Sequence, residues 1–287
     1  MSNLTERYEG YGGSVKKVME QKERVKGIIG VVADIIQVEK KYETAIETAL
    51  GGNIQNIVTD DEDTAKKMIA FLKEQRAGRA TFLPLTSITR PQEFKAQEAL
   101  REKGVIGMAD ELVTTDTKYR NVAKAMLGRI VVVDNVDNAV KTTVRQRLDT
   151  ETHGIRFRYR SGMLFIVLPS GRQLCYVKPK MGTNKFGGDS VTYEGVGSTK
   201  KWERIESYGP KFVENIVQAI SRDILMYAIR TLSHCFIVGH VHDELIIECS
   251  MSVSLDAVCE QMGRTPPWIE GLNLRADGYE TMFYKKD

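Results

Sequence analysis

The sequence predicts an α/β domain followed by an α+β unit, two domains in all, and three observations predict it. Apolar strands alternate with amphipathic helices through the first half of the chain. All four Cys (175, 235, 249, 259), all four His (153, 234, 240, 242) and both Trp (202, 268) lie beyond residue 150. The charge balance also changes along the chain. Residues 1–140 hold 21 Lys and Arg against 21 Asp and Glu, residues 141–201 hold 12 against 4, and residues 202–287 hold 8 against 13. With 287 residues, 42% of them hydrophobic, the chain can fill two ordinary cores, and the break falls near 141–148.

In the first half, residues 1–26 are polar, and Val15, Val18 and Val25 are too sparse for a heptad seam. They read as the end of a coiled-coil arm or as a solvated helix. Residues 28–33 form an apolar strand. Residues 39–50 place Tyr42, Ala45, Ile46 and Ala49 on one helical face, with Gly51 as the stop. A strand follows at 54–58, then capping acids between Thr59 and Asp63, and a helix with Ala65, Met68, Ile69 and Leu72 at helical spacing. Residues 80–85 read as a strand, 119–127 as a helix and 130–133 as a buried strand. No nucleophile, ligand cluster or phosphate cradle occurs in this half.

In the second half, strands at 164–168 and 173–177 flank the turn Pro169-Ser170-Gly171-Arg172. Residues 208–232 form a long helix with Phe212, Asn215, Ile216, Ala219, Ile220, Asp223, Ile224, Tyr227 and Ala228 on one side. Two short apolar strands, 235–238 and 245–247, enclose His242-Asp243 as a tight hairpin. A short helix around 255–262, a Pro266-Pro267 break and a closing strand at 280–284 complete the chain. The basic stretch 141–201 reads either as a phosphate-tracking surface or as a loosely folded linker.

The chemistry concentrates on the hairpin. Phosphoryl or nucleotidyl transfer by two metal ions about 3.5–4 Å apart needs carboxylates from separate strands to clamp both ions. Asp243 at a hairpin tip supplies one clamp. Other chemistries are poorly served: no GxxxxGK[ST] phosphate loop occurs, and Cys249 and Cys259 lack the CxxC spacing that would join His240 or His242 around zinc. No apolar run reaches the ~18–20 residues of a membrane span, and no signal-peptide pattern opens the sequence. The expectation is a cytoplasmic protein with reduced thiols.

The run GVVADII, followed by ALGGNIQNIVTDDEDTAKKMIAFLKEQRAGRATFLPL, resembles the hinge domain of bacterial structural maintenance of chromosomes (SMC) proteins. The resemblance covers residues 27–140. It implies a dimerisation module between coiled-coil arms that can touch DNA, so the implied partners are a second copy and DNA. Such hinges continue into a glycine-rich segment that completes the dimer interface; here the text changes after Val140, leaving the hinge truncated. The expected divisions are an arm remnant at 1–26, a truncated hinge at 27–143 and a second domain at 144–287.

LPSGRQLCYVKP, YGPKFVENIVQAISRDIL, GHVHDELIIE and RADGYETMFYKKD resemble, in order, the C-terminal palm of family A DNA polymerases, most of all their prophage-encoded branch. The resemblance implies that Asp243 binds Mg²⁺ as the last catalytic carboxylate and that Glu244 supports it. It places His242 at the primer end and Gln218 toward the DNA minor groove. Pro210 departs from the second glycine usual there. The family's first catalytic motif is an Asp with a Glu five residues on. Asp34 and Glu39 have that spacing, but the residues between them do not match. The nucleotide-binding helix has no counterpart. Because catalytic sets act as units, such a fragment is inactive alone. Three readings follow: a hinge–polymerase chimera, a hinge module with a degenerate passenger, or a polymerase subunit completed by another chain. A palm that lacks one strand should also expose an apolar sheet edge.

Overall fold

The computed structural model describes residues 11–91, 93–184 and 186–284. The chain divides into two compact units, Met1–Phe165 with Cys175–Ser207, and Ile166–Leu174 with Tyr208–Asp287.

In the first unit, α1 (Gly13–Met19) buries Val15 and Val18 in a cluster with Ile28, Val31, Ile57, Met68 and Leu72. Two apolar residues three apart suffice to seat one helical turn on a core, so 13–19, within the stretch read as an arm end or a solvated helix, pack against this cluster. Residues 1–10 lie outside the described residues. Strand β1 (Ile28–Val31) ends earlier than expected, because α2 (Val32–Ile35) turns there, with the Asp34 carboxylate accepting the Val31 N–H at 3.0 Å. Strand β2 (Gln37–Val38) leads to α3 (Glu43–Leu50), which buries Ala45, Ile46, Ala49 and Leu50 and stops at Gly51 in the left-handed region (φ 51). Strand β3 (Ile57–Thr59) precedes α4 (Glu62–Glu74), whose first turn is capped by Asp61 accepting the Thr64 N–H at 2.8 Å. Ala65, Met68 and Leu72 are buried as expected, whereas Ile69 is 52% exposed.

Strand β4 (Phe82–Pro84) lies parallel to β3, and β1 pairs antiparallel on its other side. Next come β5 (Val105–Met108), β6 (Val113–Thr114, paired with β2), α5 (Arg120–Leu127) and β7 (Ile130–Val133). Helix α6 (Val136–Gln146) then carries the chain over to β8 (Asp149–Thr152), which pairs parallel with β7. This is a βαβ crossover, and it spans the expected domain break. Strands β9 (Ile155–Arg160), β10 (Met163–Val167), β11 (Gln173–Thr183), β12 (Asp189–Val196) and β13 (Trp202–Ser207) continue by hairpins. The sheet has eight strands in the order β13-β12-β11-β10-β9-β8-β7-β5. Of the two readings of the basic stretch, the loose linker gives way to most of a sheet, because its alternation (Ile155 and Phe157 on one face; Arg156, Arg158 and Arg160 on the other) has the two-residue period of a strand.

In the second unit, α7 (Gly209–Thr231) carries Pro210 in its first turn, where the missing N–H has no partner to lose. It buries Phe212, Ile216, Ala219, Leu225 and Ala228. Strands β14 (Phe236–Val241) and β15 (Glu244–Glu248) form a two-stranded sheet, and α8 (Leu255–Met262) follows, capped by Ser254. The expected closing strand at 280–284 does not form. Met282 is 92% exposed there, since no neighbouring strand offers a ladder.

Candidate functional site

The hairpin forms at the expected place. Val241 pairs with Glu244, so His242 and Asp243 are its two loop residues. His242 takes φ 50, the left-handed conformation that a two-residue hairpin turn demands of its first position and that glycine adopts most easily. His242, Asp243 and Glu244 are all exposed. The expected rigid apolar support is weaker than the sequence implied: Phe236 and Val238 are 67% and 51% exposed, and no residue of either strand is buried. A two-stranded ribbon of this kind has little stability of its own.

Helix α7 contributes the neighbouring side chains. The Arg222 guanidinium lies alongside the His240 ring, with 3.3 Å from each terminal nitrogen to a ring nitrogen. Gln218 is exposed one turn earlier and its amide donates to the Glu214 carboxylate at 3.4 Å, while Lys211 donates to the same carboxylate at 2.8 Å. The structure therefore brings Gln218, Arg222 and His240 onto one side of the helix–hairpin unit, with His242 and Asp243 at the hairpin's tip.

It does not supply a metal set. Among the described residues, no group of three or more His, Cys, Asp or Glu side chains could hold a metal ion. Mg²⁺ accepts one or two carboxylates when waters and substrate phosphates fill the rest of an octahedron, but a two-ion clamp needs more than Asp243 and Glu244 on one turn. The residues present do not fit the two-ion group. Asp34 is occupied in its own helical turn, and Glu39 pairs with Lys41 at 2.9 Å, so neither serves as the missing clamp.

Three polar clusters lie outside the residues that the motifs point to. Asp223 on α7 accepts from Ser170 and Arg172 (Oγ and Nε, each 2.5 Å), and Arg172 also donates to the Ala219 carbonyl at 2.8 Å. These bonds fasten the Pro-Ser-Gly-Arg turn to the helix. An acid on the apolar side of α7 was the available signal. Second, buried Asp149 meets Arg156 (3.0 Å), Arg158 (3.6 Å) and Arg160 (2.7 Å), and Arg156 also reaches the Ala49 carbonyl at the end of α3. Arginines at every second position after a lone Asp were the signal there. Third, Glu151 is fully buried. Burial pushes its carboxyl up to about 7, against the pull of the Gly154 N–H at 2.7 Å, and its other oxygen has no partner. Nothing in the sequence distinguishes Glu151 from a surface acid.

Residues 25–143 match the family model described as the SMC proteins Flexible Hinge Domain. The Chromosome partition protein Smc of Bacillus subtilis (strain 168) is 44% identical over 135 residues, 46% of this chain and 11% of that protein. A protein named DNA polymerase from Bacillus phage SP02 is 43% identical over 233 residues, 75% of this chain and 36% of that protein. The chain resembles two families. Among solved structures, an asymmetric dimer of the Geobacillus stearothermophilus SMC hinge domain is similar at 35% identity, covering 53% of this chain and 62% of that one, with a TM-score of 0.49. The chain thus spans about a third of the polymerase relative and about a tenth of the Smc relative. The hinge-like α/β fold expected of the first half is present. No helix among the described residues is long and apolar enough to cross a membrane.

Proposed function

We propose that this chain is a DNA-metabolism protein that self-associates through its hinge-like segment and carries a polymerase-like segment with no nucleotidyl-transfer activity of its own. The observation that carries the reading is the hinge match over 25–143, laid on a segment whose core is dense with apolar side chains (Ile46, Leu50, Val58, Val122, Leu127, Val132). Such a core holds the segment's shape. Its outer strand β5 presents Ile106, 45% exposed, at an open sheet edge where a second copy can add. The polymerase-like segment offers Asp243 and Glu244 without the second carboxylate set that two-metal transfer requires. The reading joins a hinge fragment to a polymerase fragment, with the arm remnant at 1–26, the truncated hinge at 27–143 and the polymerase-like part from 144 onward. DNA is a proposed partner through the basic sheet strands, an attraction that should weaken steeply with salt.

Light scattering over a concentration series tests association: a dimer mass is expected, and monomer alone at high micromolar concentration refutes it. Primer extension with Mg²⁺ and four dNTPs should give no product. Extension by the chain alone that disappears in Asp243→Asn refutes the second half of the proposal.

A second reading, a polymerase subunit completed by another chain, is favoured by one feature: Asp243 is exposed at a hairpin tip, open to a partner's strand. It requires Asp243-dependent product that appears only when a chain bearing the first catalytic motif is added.

A further inference from the structure

The same hairpin that carries His242 and Asp243 has a cysteine at each of its open ends. In the ladder, Phe236 pairs with Glu248 and Ile237 with Ile247. Cys235 and Cys249 are the residues immediately outside the Phe236–Glu248 pair, one at each open end of the ribbon. The residues of that pair, being directly opposed, hold their Cβ atoms about 4.5–5.5 Å apart. A disulfide needs about 3.5–4.5 Å, so the two chain ends beside that pair draw together to close it. A second observation is independent of the ladder. Cys235 and Cys249 line one cavity of about 620 Å³, together with Leu232, His234, Phe236 and Val258, so both residues border a common space. Both are free thiols, Cys249 exposed and Cys235 partly so.

The geometry points to a reversible Cys235–Cys249 disulfide that closes the base of the hairpin. The oxidant is a small-molecule disulfide of the glutathione class. The Cys249 thiolate, the more accessible, attacks one sulfur of that disulfide, forms a mixed disulfide and expels one thiolate. The Cys235 thiolate then attacks the Cys249 sulfur, forms the internal S–S bond and expels the second thiolate. The two protein thiols give up two protons and two electrons, and the oxidant leaves as two thiols. The bond cross-links a ribbon that has no buried residue of its own, so it changes the hairpin from a frayed element into a clamped one.

The full-length chain is equilibrated in buffers of graded oxidised-to-reduced glutathione ratio, acid-quenched, alkylated and digested without reduction. The expected result is a fall from four alkylatable thiols to two and a peptide pair linked through Cys235 and Cys249. Cys235→Ser and Cys249→Ser should each abolish that link, while Cys175→Ser and Cys259→Ser keep it. Far-UV circular dichroism of each variant shows that it folds. Persistent glutathione adducts with no internal link, a link through Cys175 or Cys259, or four thiols remaining at every ratio would each overturn the proposal.

Discussion

Glu151→Gln should make the first unit more stable at neutral pH, and the gain should vanish in acid. The Glu151 carboxyl is fully buried, and burial lifts it from 4.5 to about 7. A folded state that raises an acid's pKa holds its proton more tightly than the unfolded chain does, so unfolding releases it. The stability linked to this proton is therefore complete below about 4.5, falls as pH climbs through the window, and is lost above about 7. With about 1.4 kcal/mol for each pH unit of that window, the loss totals roughly 3 kcal/mol. Glutamine keeps the side-chain oxygen that accepts the Gly154 N–H and cannot ionise. Urea unfolding at pH steps from 4.5 to 8, read by hydrogen exchange in the peptides of β7, β8 and β9, isolates the first unit from the second. The variant and the parent should nearly coincide at pH 4.5 and separate by roughly 3 kcal/mol at pH 8. A separation that stays constant across the range refutes the reasoning, because the titration would then belong to another group.

Leu127→Ala removes a fully buried side chain from the hinge-like core and should cost about 2–5 kcal/mol, seen as a lower urea midpoint. Asp223→Ala strands Arg172 and Ser170 and should weaken the turn's hold on α7 by about 2–3 kcal/mol, read as faster hydrogen exchange in residues 166–174 and 219–223. A chain ending at residue 143 lacks β8 and leaves one side of β7 bare; it should lose cooperative unfolding and bind a hydrophobic dye that the full chain does not.

The local elements were legible where one physical signal dominated. Gly51 marked the end of α3, the acids around Asp61 marked the start of α4, and the apolar–turn–apolar pattern marked the His242-Asp243 hairpin. Strand propensity over 280–284 says nothing about whether a neighbour exists to complete the ladder, and no strand forms there. Ile69 was assigned to the buried face by spacing, yet it sits at the edge of the stripe, where helical periodicity cannot separate rim from core. Asp149 and Glu151 are hidden from the sequence for a different reason. They lie two apart on the same strand, and only the three-dimensional register gives one of them three arginines and the other a single backbone N–H.

The two family likenesses meet inside one sheet. The polymerase alignment takes in 75% of the chain, more than lies outside 25–143, so it must run into the hinge-matched stretch. In the fold, hinge-matched β7 accepts β8 as a parallel neighbour through α6, with the Thr143 and Thr150 hydroxyls 2.7 Å apart beneath the crossover. The contact is specific, because Thr150 also donates to the Ala139 carbonyl within α6. A composition break therefore need not be a folding break. Rare residues and net charge are set by side chains facing solvent or a site, whereas a sheet is extended by any strand whose backbone and inward side chains fit. Phe157 and Leu164, both fully buried, provide that fit beyond residue 150. The same reasoning locates the weakness of Asp243: its strands have one neighbour each and no buried face. Were Asp243 to hold a metal ion as proposed, it would need the support that β7 and β8 give each other, and among the described residues the hairpin has nothing comparable until a partner or a cross-link supplies it.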